Sequence, residues 1–304
     1  MNKTIITMLL ITLITVSAFA QGNTDTSPVR IGILPDVDSL PIQLAQRDGL
    51  YASEGSAVEL ISFRSPVERD AAFQAGELDG MVGDTLGAFF LREAGYDILI
   101  TSITNGRYGL AANPLEGATQ LSDLAGREIA VSRNTIIEYV ADSLMGDTPS
   151  EMMAIPKIPV RMEMLINGSI AGACLPEPLY SIAVSNGAVP LADSTQLQEV
   201  PGVMIFTREA VSERSEDLAA FYRAYSRAAE KINSNPDAYR DYLVEAAGVP
   251  DTLKGDFVFV TYEKPRLPER EGVEKVYTWL KERDLITSQI TYSDLTDSPA
   301  VDIL

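Results

Sequence analysis

Short polar loops that follow apolar, strand-like segments carry the side chains best suited to binding a small molecule. In an open parallel sheet, ligands bind beyond the carboxyl ends of the strands, where helix N-termini converge. The candidate ligand-binding residues in these loops are carboxylates, hydroxyls, amides and one guanidinium: Asp36, Asp38, Ser39, Ser65, Asp84, Thr85, Asn105, Arg133, Asn134, Thr135 and Glu177. The chemistry available to them is hydrogen bonding and charge balance with a bound molecule.

Several of these candidates also have a purely structural interpretation. Ser65 precedes a proline and, three residues on, a glutamate, which is the pattern of a capping box. Asp38 and Asp84 can equally be helix caps. Glu177 stands at a predicted helix start, where its carboxylate can either be stabilised by the helix dipole or contact a ligand. Arg133 is more typical of a solvated rim than of a pocket.

No cofactor or metal motif accompanies these residues. The glycines of the loops form neither GxGxxG nor a P-loop, so we expect no nucleotide cofactor. Asp36 and Asp38 alone lack the spacing of a calcium loop, and the chain has 0 histidines for transition metals. The sequence therefore predicts no cofactor and no metal.

Composition also restricts the function classes. Without histidine, neither Ser-His-Asp nor Cys-His catalysis is available. The single cysteine, Cys174, lies in an apolar run, which predicts a buried core residue and excludes an intrachain disulfide. A formal charge of −19 disfavours nucleic acid and anionic membranes as partners.

Strand and helix alternate through the first two-thirds of the chain. Strands are predicted at 30–34, 58–63, 78–83, 98–104, 128–132, 152–155 and 169–175. The intervening helices begin at capping patterns and end at glycines. After a strand at 203–206 the chain is mainly helical, with an apolar stripe of helical spacing from Leu218 to Ile232. Alternation of this kind predicts α/β architecture, with parallel sheets covered on both faces.

Two such series predict two α/β lobes. The second series begins near Asn113-Pro114 and ends near Pro201-Gly202. The predicted division is first lobe 28–112, second lobe 113–202, and a return segment with C-terminal helices, 203–304, that covers the first lobe.

The N-terminus predicts export. Lys3 precedes an apolar stretch, and Ala18-Phe19-Ala20 has the small-x-small pattern that signal peptidase requires. Residues 1–20 are therefore a predicted signal peptide and 21–27 a polar linker, with no stable membrane insertion after cleavage. No cysteine lies near the cleavage point to carry a lipid anchor, so the periplasm is the expected location.

Four segments follow one another in a familiar order: PDVDSLPIQLAQRDGLY (35–51), AFQAGELDGMVGD (72–84), LSDLAGREIAVSRNTIIEYV (121–140) and IPVRMEMLINGSIAGACLPEPLYSIA (158–183). Together they resemble the NMT1/SsuA-like substrate-binding proteins of nitrate-, sulfonate-, taurine- and thiamine-precursor-type ABC transporters.

The resemblance implies a type II periplasmic-binding fold, in which two lobes close on a ligand. Two crossover strands, near 108–112 and 203–207, would form the hinge. The implied partners are a small-molecule ligand and an ABC permease with its ATPase. A monomer is the default expectation for such proteins.

The acidic candidates favour one type of cargo. Asp36, Asp38 and Asp84 in the first lobe and Glu177 in the second would penalise an anion in a closed, poorly solvated cleft. We expect a neutral or cationic molecule, preferably a heterocycle such as a thiamine-precursor pyrimidine or a flavin. The alternative within the family is a sulfonate, taurine or nitrate. The loops contain no stacking residue, and the nearest aromatic candidates are Tyr108 and Tyr139.

Two other classes of function remain as alternatives. Related folds support enzymes of pyrimidine synthesis and of porphyrin-precursor chemistry. Those enzymes need an active-site histidine with an iron-binding cysteine motif, or a cofactor-carrying cysteine in a loop, so the sequence predicts no enzyme. The second alternative is a secreted sensor subunit that signals to a membrane receptor. Nothing in the sequence distinguishes it from a transport protein.

Overall fold

The computed structural model describes residues 27–197, 201–246 and 248–297. The predicted signal peptide, and all but the last residue of the predicted linker, lie outside the described residues. Within them, no helix combines the length and the apolar character that crossing a membrane requires.

The strands form two five-stranded sheets. In chain order they are β1 (Val29–Ile33), β2 (Val58–Ser62), β3 (Gly80–Asp84), β4 (Ile98–Ile103), β5 (Tyr108–Ala112), β6 (Glu128–Val131), β7 (Glu151–Ala154), β8 (Gly172–Pro176), β9 (Val189–Asp193) and β10 (Gly202–Thr207). The first sheet has the order β2-β1-β3-β10-β4 and the second the order β7-β6-β8-β5-β9.

One strand in each sheet runs against its neighbours. β10 is antiparallel to β3 and β4, and β5 is antiparallel to β8 and β9. The expectation of purely parallel sheets is therefore wrong for these two strands. Each is the first strand after the chain crosses from one sheet to the other, so no helical crossover precedes it to impose the parallel direction.

The helices cover both faces of both sheets. In chain order they are α1 (Leu40–Arg47), α2 (Leu50–Glu54), α3 (Pro66–Gln74), α4 (Thr85–Glu93), α5 (Ile136–Met145), α6 (Ile158–Ile166), α7 (Leu179–Ser185), α8 (Arg208–Glu213), α9 (Ser215–Ser234), α10 (Pro236–Ala246), α11 (Arg270–Glu282) and α12 (Tyr292–Thr296). No sequence pattern predicted α2, α8, α12 or β9.

The first sheet lies between two apolar layers. On one face α1, α2 and α9 pack together, with the Tyr51 and Phe221 rings stacked 5.5 Å apart. On the other face α4 and α11 enclose Phe89 and Leu280. The C-terminal helices thus cover the first sheet, as the apolar stripe of α9 indicated, whereas the exact lobe boundaries stay a prediction.

A buried arginine joins the strand ends of the second sheet. Arg161 of α6 is fully buried, and its guanidinium donates to the Cys174 carbonyl, the Ser132 hydroxyl and the Ile155 carbonyl. These acceptors lie at or near the carboxyl ends of β8, β6 and β7, so Arg161 holds that edge together. Cys174 is fully buried, as predicted, and burial raises the pKa of its thiol to about 12.

Candidate ligand-binding cleft

A cleft opens between the carboxyl ends of the two sheets. The enclosed space there is about 30 Å³, room for about one water molecule, and the empty space rises to about 380 Å³ when the open mouth is included. Its walls are mostly apolar: Leu34, Pro66 and Val82 from the first lobe, and Ile136, Ile137, Ile158 and Pro176 from the second. The charged side chains that line it, Asp36, Asp38, Arg69 and Asp84, all come from the first lobe.

Asp36 follows β1 and is only 6% exposed. Its Oδ1 accepts a hydrogen bond from the Ser39 hydroxyl at 3.0 Å. Burial, reinforced by the neighbouring charge of Asp38, raises the pKa of Asp36 well above its ordinary value. A cation in the cleft would stabilise the ionised form of this carboxyl, whereas an anion would oppose it.

Asp38 lies where the chain crosses between the lobes. Its carboxylate accepts hydrogen bonds from Thr104 Oγ1 at 2.7 Å and from the Tyr108 hydroxyl at 2.9 Å. A Cβ on Gly106 would overlap Asp38 Oδ2, and one on Gly202 would lie 3.2 Å from Oδ1. Burial raises the pKa of Asp38, and the two hydroxyl donors partly offset the effect. Both crossing segments therefore pack directly against this carboxylate.

Asp84 connects the two lobes. Its Oδ1 caps α4 by accepting from the Gly87 N–H at 2.8 Å, and its Oδ2 accepts from the Ile136 N–H of α5 at 3.1 Å. The residue is 3% exposed, and burial raises its pKa, although the nearby Arg69 charge opposes that shift. The first lobe thus places a carboxylate on a helix N-terminus of the second.

Arg69 is a cleft residue that the sequence analysis missed. It is 3% exposed on α3, and its guanidinium donates to the Val82 carbonyl at 2.6 Å and pairs with Asp70 at 2.7 Å. The predicted candidates lie in the strand-to-helix loops, whereas Arg69 lies one turn further along, within α3. A charged residue one turn after the Ser65 cap, on the face that turns back toward the sheet, was the available signal.

Glu177 does not line the cleft. Its carboxylate accepts from the Ser181 hydroxyl at 2.8 Å and the Ser181 N–H at 3.2 Å, and it faces the Arg107 guanidinium at 3.4 Å. Burial raises its pKa, while these partners counteract the shift. The side chain serves the first turn of α7, and Pro176 occupies the cleft wall instead.

The remaining predicted residues also lie away from the cleft or serve structural roles. Ser65 caps α3, and Thr135 caps α5 by accepting from the Ile137 N–H. Ser39 reaches the site only through Asp36. Four candidates lie outside the cleft. Thr85 donates a hydrogen bond to the Pro201 carbonyl, and Asn105 accepts one from the Glu263 N–H. Arg133 and Asn134 both contact the Glu138 carboxylate.

Of the two aromatic candidates, one lies in the cleft and the other lies outside it. Tyr108 lines the cleft and donates to Asp38. Tyr139 instead packs edge-on against Trp279 of α11, with ring centroids 5.8 Å apart. There α5 and α11 form a second contact between the lobes, in which Asp142 accepts from Trp279 Nε1 at 2.8 Å and pairs with Arg283.

The cleft offers hydrogen-bond acceptors in an apolar frame. Three carboxylates face one guanidinium, and that guanidinium is already paired with Asp70. In the described part of the chain, no group of three or more His, Cys, Asp or Glu side chains could hold a metal ion. The arrangement is suited to binding donors or a positive charge between apolar walls.

The comparisons with known structures agree on the fold. The chain is similar to the ligand-binding component of an ABC-type import system from Staphylococcus aureus, with 16% identity, 91% of this chain and 98% of the other covered, and a TM-score of 0.74. It is similar to the periplasmic aliphatic sulphonate binding protein SsuA from Escherichia coli, with 16% identity, coverage of 90% and 93%, and a TM-score of 0.73.

A structure described as an enzyme shares the same architecture. The desulfurization enzyme DSZB has 16% identity, coverage of 90% and 97%, and a TM-score of 0.65. At these identities the likenesses show the fold, which is the two-lobe type II periplasmic-binding fold that the resemblance predicted.

Comparison of the sequence with family models identifies the family, whereas the structural likenesses show only the fold. No curated protein matches the chain. The model of the NMT1-like family matches residues 22–247, which is most of the chain and includes every strand of both sheets. The chain belongs to the NMT1-like family.

Proposed function

We propose that this protein is the periplasmic solute-binding component of an ABC importer. Its lobes close on a small molecule in the cleft and deliver it to a permease with its ATPase. The observation that carries the proposal is the cleft itself, which is lined from both lobes and bridged by Asp84. The similar proteins from S. aureus and E. coli, described as import and binding proteins, support the same role.

The cargo is a neutral or cationic molecule. Asp36, Asp38 and Asp84 are all more than nine-tenths buried, and among the described residues that line the cleft Arg69 is the only one with a basic side chain. An anion would meet like charges in a poorly solvated site, whereas an amino or amidine group would find acceptors.

A thiamine-precursor pyrimidine is the best example of such a cargo. Its amino group and ring suit carboxylates set between apolar walls. No bond in the cargo is made or broken, and the protein acts as a monomer.

A thermal-shift screen of residues 21–304 tests this proposal. The library holds aminopyrimidines, flavins, polyamines, amino acids, sulfonates and inorganic anions. A micromolar ligand at millimolar concentration stabilises the native state by about 4 kcal/mol, which is readily detected. We expect a shift with an aminopyrimidine or another amine, and mass spectrometry should recover that ligand unchanged.

Matched variants locate the site. Asp36→Asn should abolish the shift, whereas Asp147→Asn, the same change at an exposed position of the second lobe, should preserve it. Stabilisation only by sulfonates or nitrate would refute the proposed cargo while preserving a binding role. Chemical conversion of the bound molecule would show that the protein is an enzyme.

A further inference from the structure

The N-terminus of α5 forms part of the cleft wall, and the chain's own oxygens occupy it. The Ile136 N–H donates to Asp84 Oδ2 at 3.1 Å, and the Ile137 N–H donates to Thr135 Oγ1 at 3.2 Å. Just before the helix, the Asn134 N–H donates to a Glu138 carboxylate oxygen at 2.6 Å. Free N–H groups and the helix dipole make such a position attractive to an anion. Here the position is filled.

The carboxylate that fills it is held rigidly by the opposite lobe. Asp84 Oδ1 is fixed by the Gly87 N–H at the start of α4, and the side chain is 3% exposed. Arg69, itself buried, supplies a favourable positive charge nearby. The Asp84 carboxylate is therefore fixed to the first lobe at the position where it contacts α5.

Capping α4 does not by itself require a carboxylate at this position. The neighbouring junction uses the hydroxyl of Ser65 to cap α3, and α5 is capped by the hydroxyl of Thr135. A hydroxyl has only one oxygen, and at position 84 it would satisfy Gly87 alone. The second oxygen of Asp84 is what reaches Ile136 in the other lobe.

We propose that Asp84 is a specificity-determining residue that acts as the protein's own anion at the α5 N-terminus. A sulfonate or carboxylate cargo finds this N-terminus occupied and a negative charge beside it. An amine or amidine cargo meets neither obstacle. This inference rests on the proposed binding function and assigns the exclusion of anions to one side chain.

The variant Asp84→Ser tests the inference directly. Serine keeps an oxygen for the Gly87 N–H and so preserves the cap of α4, but it is too short to bridge to Ile136. We expect ethanesulfonate, measured by isothermal titration calorimetry, to bind the variant tighter than the wild type by about tenfold or more, the worth of one charge-assisted hydrogen bond. The control Asp147→Ser removes the same charge from the surface and should gain nothing.

The remaining outcomes are also decisive. If Asp84→Ser folds, as judged by circular dichroism, and binds ethanesulfonate no better than the wild type, the inference is wrong. If it does not fold, Asp84→Asn keeps the size and removes only the charge, and a smaller but measurable gain over the wild type is required of it, because the amide still occupies the position beside Ile136. The wild type's response to amines is measured separately. A sulfonate gain without any amine binding would therefore support the role of Asp84 while refuting the proposed cargo.

Discussion

The contact between α5 and α11 makes a measurable prediction about lobe closure. Asp142 of the second lobe accepts from Trp279 Nε1 at 2.8 Å and pairs with the Arg283 guanidinium of the first lobe. The Arg283 guanidinium also lies 4.3 Å from the centroid of the Trp279 ring. Asp142→Ala removes the acceptor that these two groups share across the lobes.

The magnitude follows from burial. In Asp142→Ala the Trp279 N–H loses its hydrogen bond to a charged group. Because Trp279 is only 8% exposed, this loss costs about 1.5–3 kcal/mol. The Arg283 pair is about one-third exposed on both sides, and solvent screening limits it to less than about 1 kcal/mol. A total of about 2 kcal/mol shifts the equilibrium between open and closed forms roughly 30-fold toward the open form.

Small-angle scattering of the ligand-free protein measures the shift. We expect Asp142→Ala to have a larger radius of gyration than the wild type and a weaker affinity for cargo, because only the closed fraction binds fully. The control Asp142→Asn keeps a carbonyl oxygen for Trp279 and loses only the screened ion pair, so its shift should be smaller.

A folded Asp142→Ala with unchanged scattering and unchanged cargo affinity would refute this reasoning. The contact would then contribute nothing to closure, and the hydrogen bonds from Ile136 N–H to Asp84 and from Val37 N–H to the Glu177 carbonyl would remain as polar links between the lobes.

Two further predictions concern the carboxylates of the cleft. Since burial and Asp38 raise the pKa of Asp36 in the folded state, the protonated form contributes stability at low pH that is lost as pH rises through the folded pKa. Asp36→Asn should remove this fall, so that its melting temperature at neutral pH exceeds that of the wild type; an unchanged pH profile would contradict the assignment. Gly106→Ala places a methyl group against Asp38 Oδ2 and should destabilise the protein by about 1–3 kcal/mol or more in urea unfolding, whereas Gly255→Ala, with open space around its Cβ, should not.

Local patterns predicted most of the elements correctly. The Ser65 cap, the Asp84 cap and the stripe of α9 appear as expected, because capping and amphipathicity depend on residues close together in the chain. The elements that were missed, such as α8 and α12, are helices of six and five residues, too short to show a full apolar period. The strands near 108–112 and 203–207 were predicted, but their antiparallel direction was not, because strand direction depends on the path between the sheets.

The candidate site was only partly predictable. Asp36, Asp38 and Asp84 do meet in the cleft, because carboxyl ends of neighbouring strands share one edge. Glu177 turns to Ser181, and Asn105 turns to Glu263. Those partners lie within the same helix turn or 158 residues away, and a loop sequence does not reveal which one a side chain will choose.

The sequence by itself determined the composition limits, the α/β alternation and the family resemblance, since these are encoded in residue types, in their short-range spacing and in their order. Tertiary structure decided the roles of the three carboxylates. Asp38 holds the crossing segments, Asp84 bridges to α5, and Asp36 accepts a hydrogen bond from the nearby Ser39 hydroxyl. The roles of Asp38 and Asp84 depend on donors brought from distant segments, and burial then sets the charge that each carboxyl can carry.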